Sequence, residues 1–271
     1  MENFGPLISA QGLEGCPEGT VLCDVRWYTD GRSGREEFES GHIPGAVFVD
    51  LDQRLASPDN GAESGRHPFP AAQDFAHWLG SIGVSPTTPV VAYDNAGGFS
   101  AGRLVWMLRI LGHPAALLNG GLAAWSGPLS SEATCPQAVS CPTRLWPQEQ
   151  LPSLEQVVAH DGQIIDARGH DRFRGDSEPL DAQPGHIPGA ISSPFVQNMV
   201  DGYFLSPEAL RQSFTNQGIA DARNVISSCG SGVTACHNLL AMEHAGLGRG
   251  RLFVGSWSAW SRSDQAVATG E

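Results

Sequence analysis

The hexapeptide Gly-His-Ile-Pro-Gly-Ala stands twice in this chain, at 41–46 and again unchanged at 185–190. A repeat this long constrains the fold more than any single element, because each copy must build the same supersecondary unit. The correspondence runs well beyond the hexapeptide. Asp24-Val25-Arg26 precedes the first copy and Asp166-Ala167-Arg168 the second, each closing a short apolar run, Val21-Leu22-Cys23 or Ile164-Ile165. Downstream, Val90-Val91-Ala92-Tyr93-Asp94 aligns with Val225-Ile226-Ser227-Ser228-Cys229. Gly120-Gly121-Leu122-Ala123-Ala124-Trp125 aligns with Gly255-Ser256-Trp257-Ser258-Ala259-Trp260. Asp94 to Trp125 and Cys229 to Trp260 both span 31 positions, so Asp94 occupies in the first copy the place of Cys229 in the second.

Each half then predicts one order of elements. A short buried strand leads into the His-Ile-Pro-Gly turn, and a helical stretch follows at Ala71 to Leu79 or at Pro207 to Gln217. A second apolar strand, a Gly-rich turn and a helix complete the unit. Short apolar strands alternating with helices predict an α/β fold with a parallel sheet flanked by helices in each half. A length of 271 residues suits two such domains. We expect one at 1–127 and one at 153–271. The segment 128–152, which carries Pro128, Pro136, Pro142, Pro147 and Pro152, reads as a linker between them.

Charge narrows the partners. Sixteen basic against 29 acidic residues give a net charge of −13, which argues against nucleic acid. The N-terminal Met-Glu-Asn-Phe-Gly-Pro has neither a basic nor an apolar signal region, and no apolar run is long enough to span a bilayer. The expected setting is therefore cytoplasmic, with no membrane partner. In a reducing compartment the six cysteines predict no disulfide framework. Without a CxxC pair they also predict no metal site. Cys23 and Cys236 read as small buried hydrophobes.

Cys229 is different. It opens Cys229-Gly230-Ser231-Gly232-Val233-Thr234, between the end of a strand and a helix on which Val233, Cys236 and Leu240 share one face. Open α/β sheets place ligands at such strand ends. Two glycines allow a cradle of N–H groups around the sulfur, and the helix N-terminus adds partial positive charge. Both favour thiolate, the nucleophilic form. Ser231 and Thr234 are placed to donate hydroxyl hydrogen bonds to the same sulfur.

The doubled hexapeptide, both Asp-x-Arg strands, the Gly-Ser-Trp-Ser-Ala-Trp segment and the Cys229 loop together resemble the rhodanese superfamily, over nearly the whole chain. The resemblance implies two tandem rhodanese-like domains, the first non-catalytic with Asp94 at the cysteine position and the second catalytic. It implies a sulfurtransferase that carries sulfane sulfur as a persulfide on Cys229. No cofactor or metal is implied, and the acceptors would be cyanide, a small thiol or thioredoxin. The uncharged loop is similar to that of 3-mercaptopyruvate sulfurtransferases, which makes 3-mercaptopyruvate the expected donor and Ser231 a residue that polarises it. Gly230, Ser231, Gly232, Val233 and Thr234 would then line the substrate site. Arg172, in Asp171-Arg172-Phe173-Arg174-Gly175, resembles the family's anion-binding segment, and its planar fork suits a carboxylate. A second arginine expected shortly afterwards is replaced by Leu180. By the same resemblance His42 assists proton transfer, although both repeats carry the histidine and a shared structural role in the turn fits equally. Asp24 and Asp166 are expected to tie down loops. Two other readings stay open, a thiosulfate:cyanide sulfurtransferase and a persulfide carrier with weak small-molecule turnover. A phosphatase would need a longer loop ending in arginine.

Overall fold

A computed structural model describes residues 4–58, 61 and 63–271. It divides into two compact units. The first comprises Met1–Ala56, Pro70–Trp146 and Asp201–Phe204, and the second Ser57–Phe69, Pro147–Val200 and Leu205–Glu271.

The first unit is built on a five-stranded parallel sheet. Its strands are β1 (Leu7–Ile8), β2 (Val21–Asp24), β3 (Val47–Phe48), β4 (Val90–Tyr93) and β5 (Ala115–Leu118), in the order β1-β5-β4-β2-β3. All four residues of β4 and of β5 are buried, as a parallel sheet covered on both faces requires. The helices are α1 (Ala10–Glu14), α2 (Gly34–Ser40), α3 (Ala72–Ser81) and α4 (Ala101–Ile110). α4 packs on β4 and β5, which places its N-terminus beside the end of β4. Leu13, Phe38, Ile43, Ala46, Val91, Tyr93 and Leu118 form a core cluster under the first Gly-His-Ile-Pro-Gly turn.

The second unit repeats the plan with four parallel strands, β6 (Gln163–Asp166), β7 (Ile191–Ser192), β10 (Val225–Ser228) and β11 (Arg251–Leu252), ordered β11-β10-β6-β7. The short strand β8 (Met199–Val200) also lies in this unit, and β9 (Tyr203–Phe204) in the first. Helices α5 (Leu154–Val158), α6 (His170–Arg174), α7 (Pro207–Asn216), α8 (Ala235–His244) and α9 (Ser256–Trp260) complete it. Ser206 caps α7 through Ala209 N–H, with Pro207 at the first helical position. Every residue from Ala235 to Met242 of α8 is buried, so this helix is enclosed on all sides. Its core gathers Val157, Ile164, Ile187, Ile226, Phe253, Trp257, Ala259 and Trp260.

The Asp-x-Arg pairs do the same work in both units. Asp24 Oδ1 accepts from Arg26 N–H and Nε at 3.0 Å, and Arg26 Nη2 donates to Gly41 C=O at 2.8 Å. Asp166 and Arg168 repeat this, with Arg168 Nη2 donating to Gly185 C=O at 2.7 Å. Each strand end is thereby tied to its own Gly-His-Ile-Pro-Gly turn, the loop-fixing role expected of Asp24 and Asp166.

Two boundaries depart from expectation. Residues up to Trp146 of the supposed linker belong to the first unit. Prolines remove donors, but several of the segment's polar groups pair with that unit. Ser130 bridges His42, Val139 N–H donates to Gly80 C=O at 2.9 Å, and Trp146 Nε1 donates to Pro70 C=O at 2.8 Å. Conversely, Ser57–Phe69 leaves the first half of the sequence to join the second unit.

Candidate active site

Cys229 follows β10 directly and is 2% exposed. Gly232, in the left-handed region at φ 76°, turns its N–H onto Cys229 Sγ at 3.1 Å. The loop is pinned from below by α9. Trp257 N–H donates to Cys229 C=O at 2.9 Å, and Ser258 N–H to Gly230 C=O at 2.8 Å. Val233 and Thr234 are buried at the entrance to α8, and Thr234 makes no side-chain cap bond.

Ser231 Oγ lies 2.7 Å from His67 Nδ1 and is engaged there. The Ser256 hydroxyl lies 4.0 Å from the sulfur; it also accepts Cys229 N–H at 3.1 Å and donates to Phe253 C=O at 2.9 Å. Ser256 sits at φ 49°, a left-handed conformation costly for a residue with a Cβ. Its counterpart in the first unit is Gly121, at φ 56°, which incurs no such cost. The strain is retained where a hydroxyl faces a sulfur.

Anion-binding groups stand over the loop. Arg172, on α6, donates through Nε and Nη2 to Glu178 at 3.2 and 2.7 Å, and through Nη2 to Asp181 at 3.1 Å. Glu178 is fixed in turn by Arg168 Nη1 at 3.1 Å. Arg66 ion-pairs with Asp181, whose carboxylate is buried. Both guanidiniums reach the loop, since a Cβ at Gly230 would lie 3.1 Å from Arg66 Nη2 and 3.5 Å from Arg172 Nη1. A Cβ there would press on Arg66 Nη2 and touch Arg172. Leu180 is half-exposed and contributes its backbone N–H to Glu178.

The structure brings Cys229, Gly230, Ser231, Gly232 and Arg172 together, and places Arg66, His67, Asp181 and Ser256 with them. Arg66 and His67 escaped notice because they lie in a segment with no matching motif in the second repeat. Their one signal was Gly65-Arg66-His67-Pro68, a charged pair inside a turn-rich stretch. Gly65, at φ 78°, fits against Gly255 and Ser258 where a Cβ would approach within 2.5 Å, and Arg66 N–H donates to Ser258 Oγ at 3.0 Å.

His42 belongs to the first unit and is fully buried. Its ring stacks on Phe38 at 3.8 Å, and Nδ1 and Nε2 meet the carbonyl oxygens of Phe38 and Glu132 at 2.8 and 3.1 Å. His186 repeats the arrangement, stacked on Phe173 at 3.7 Å with Nδ1 at 2.7 Å from Phe173 C=O. Both ring nitrogens of His42 are thus engaged with backbone, and the stacking and the Nδ1 contact recur in His186, which favours the structural role in the turn over proton transfer.

Asp94 shows what the Cys229 position becomes without sulfur. It is buried, and its Oδ1 accepts from Ala96 and Gly98 N–H at 2.9 and 2.8 Å. Oδ2 accepts from Ser100 and Ala101 N–H, both at 2.9 Å, and from Ser100 Oγ at 3.2 Å. The carboxylate fills the anion nest at the start of α4.

Comparison with known proteins agrees with this geometry. The rhodanese-like domain matches residues 11–128 and 151–263. The chain is 37% identical over 268 residues to 3-mercaptopyruvate sulfurtransferase of Homo sapiens, covering 92% of this chain and 88% of that protein. It is 35% identical over 260 residues to thiosulfate sulfurtransferase of Cricetulus griseus, covering 89% and 85%. The crystal structure of SseA, a 3-mercaptopyruvate sulfotransferase from Escherichia coli, superposes with a TM-score of 0.78 at 30% identity, covering 93% and 99%. With a repeated parallel α/β unit, a glycine-cradled cysteine and matches along almost its full length, the chain belongs to the rhodanese-like family.

Proposed function

We propose that the protein is a sulfurtransferase that moves sulfane sulfur from 3-mercaptopyruvate to a thiol or cyanide acceptor through a persulfide on Cys229. The observation that carries this reading is the placement of Cys229 Sγ against Gly232 N–H, in a loop overhung by Arg66 and Arg172. An anionic donor bound to those guanidiniums presents its sulfur to the thiolate. Cys229 attacks it, a sulfur–sulfur bond forms, and the donor's carbon–sulfur bond breaks. The electron pair of that bond leaves as the enolate of pyruvate, which takes up a proton. Ser231, hydrogen-bonded to His67, donates to the developing oxyanion, and the imidazole supplies the proton. The acceptor then attacks the outer sulfur and releases Cys229 as thiolate. Electrons balance with no external oxidant or reductant.

The first unit takes no part in this chemistry on our reading, because Asp94 offers neither a thiolate nor a vacant nest. The homology to a thiosulfate sulfurtransferase supports thiosulfate as a second donor, with sulfite as the leaving group. A thioredoxin acceptor and a cytoplasmic setting remain part of the proposal. Among the described residues no helix is long and apolar enough to cross a membrane. The test is kcat/KM for each donor, with mass spectrometry of Cys229. We expect 3-mercaptopyruvate to exceed thiosulfate and a one-sulfur gain that vanishes in Cys229→Ser. Turnover retained in that variant refutes the mechanism, and a larger kcat/KM for thiosulfate refutes the donor.

A further inference from the structure

The sequence offers one arginine to the donor, Arg172, and a leucine where a partner was expected. The fold supplies another from far upstream. We infer that Arg66 is a specificity-determining residue, which with Arg172 clamps the planar carboxylate of a small 2-oxo acid donor over Gly230.

Three observations carry this. Arg66 and Arg172 share one buried carboxylate, Asp181, which holds both guanidiniums at a fixed spacing. Arg66 uses Nη1 for that pair and Arg172 uses Nε and Nη2 for its own. Arg66 Nη2 and Arg172 Nη1, which make no hydrogen bond among the described residues, are the atoms over Gly230. Two directed N–H donors from separate forks match two coplanar carboxylate oxygens. Electrostatics agree on proximity: burial is the largest influence on Arg66 and lowers its pKa, while the charge of Cys229 raises it and that of Arg172 lowers it.

The charge count selects a monoanion. Arg66, Arg168 and Arg172 are hydrogen-bonded to Asp166, Glu178 and Asp181, three positive charges against three negative. Arg262 adds one positive charge within electrostatic reach of Arg66. The Cys229 thiolate offsets that charge, so the site holds no surplus for the second negative charge of a thiosulfate dianion.

This inference rests on the sulfurtransferase reading, and the experiment separates the two. In Arg66→Gln, KM for 3-mercaptopyruvate should rise about ten- to a hundredfold with kcat within about threefold, as loss of a charge-assisted hydrogen bond implies. KM for thiosulfate should rise less. In a Cys229→Ser background, where no chemistry occurs, the Kd of pyruvate measured by calorimetry should weaken by the same factor on adding Arg66→Gln. Arg66→Lys keeps the ion pair to Asp181 and loses the fork, so it should fold even if Arg66→Gln does not, and should show an intermediate KM. A KM and pyruvate Kd within twofold of the parent in both variants overturn the role of Arg66 and leave the Cys229 chemistry standing. A thiosulfate KM that rises as much as that of 3-mercaptopyruvate overturns the carboxylate assignment. Failure of Cys229→Ser to abolish turnover sinks the sulfurtransferase reading, whatever Arg66 does.

Discussion

Replacing Asp94 with Ala tests why the first unit keeps a charged residue buried at the end of β4. The carboxylate accepts five hydrogen bonds, four of them from the backbone N–H groups of Ala96, Gly98, Ser100 and Ala101. Alanine leaves those four donors without an acceptor at the start of α4. A buried donor left unsatisfied costs about 1–3 kcal/mol, and water entering the vacated space recovers part of that. The lower end applies, so the expected loss is about 4 kcal/mol. That is a large fraction of the roughly 5–15 kcal/mol typical of a domain. Asp94→Asn keeps one carbonyl acceptor but turns an NH2 toward two N–H donors, and about half the loss is expected. Urea unfolding followed by tryptophan fluorescence reads this, because five of the seven tryptophans lie in the first unit. The midpoint of the first unit's transition should fall with its slope unchanged. Under native conditions the one-sulfur gain on Cys229 should persist, since every group assigned to sulfur transfer belongs to the second unit. A loss below about 1 kcal/mol for Asp94→Ala would show that the nest does not depend on its anion, and would refute the argument.

Ser231→Ala and His67→Ala should each lower kcat with 3-mercaptopyruvate about a hundredfold, and the double variant no further, because one hydrogen-bonded pair delivers one proton. Additive losses in a kinetic cycle contradict that pairing, and thiosulfate turnover, which needs no enolate protonated, should change little. Ser256→Gly should be more stable than Ser256→Ala by about 1 kcal/mol, because both lose the hydroxyl but only glycine relieves the positive φ. Both should slow persulfide formation, and an undiminished rate in either removes Ser256 from the sulfur's surroundings. Stability should also fall in mild acid through His113, whose pKa burial, aided by Arg144, lowers from 6.5 to about 4. The unfolded chain then takes the proton first, so stability present above pH 6.5 is lost as pH falls toward 4, by about 2 kcal/mol at pH 5. Denaturation curves at pH 7.5 and 5 should show that much less loss in His113→Gln, and equal losses in both proteins would exclude His113 as the source.

Much of this was legible in one dimension. The doubled hexapeptide and the Asp-x-Arg pairs are local devices. Arg26 and Arg168 reach carbonyls 15 and 17 residues away within their own repeat, so pattern and contact coincide. The strand-to-helix loop of Cys229 is likewise local, with Sγ and its donor Gly232 three residues apart. Only the fold decided what stands above that loop. Ser231 meets His67 across 164 residues, and Arg66 meets Asp181 across 115. Nothing in the spacing of either pair encodes the contact, because it depends on Ser57–Phe69 leaving its own half to pack in the other unit. Ser256 beside the sulfur was not legible for a related reason: a side chain's direction follows backbone angles, here a left-handed serine, and not its distance along the chain. By itself the sequence determined a duplicated α/β chain with a reactive cysteine in its second half. The tertiary structure decided which charges and hydroxyls surround that sulfur, because those groups are brought together by packing between segments that share no periodicity.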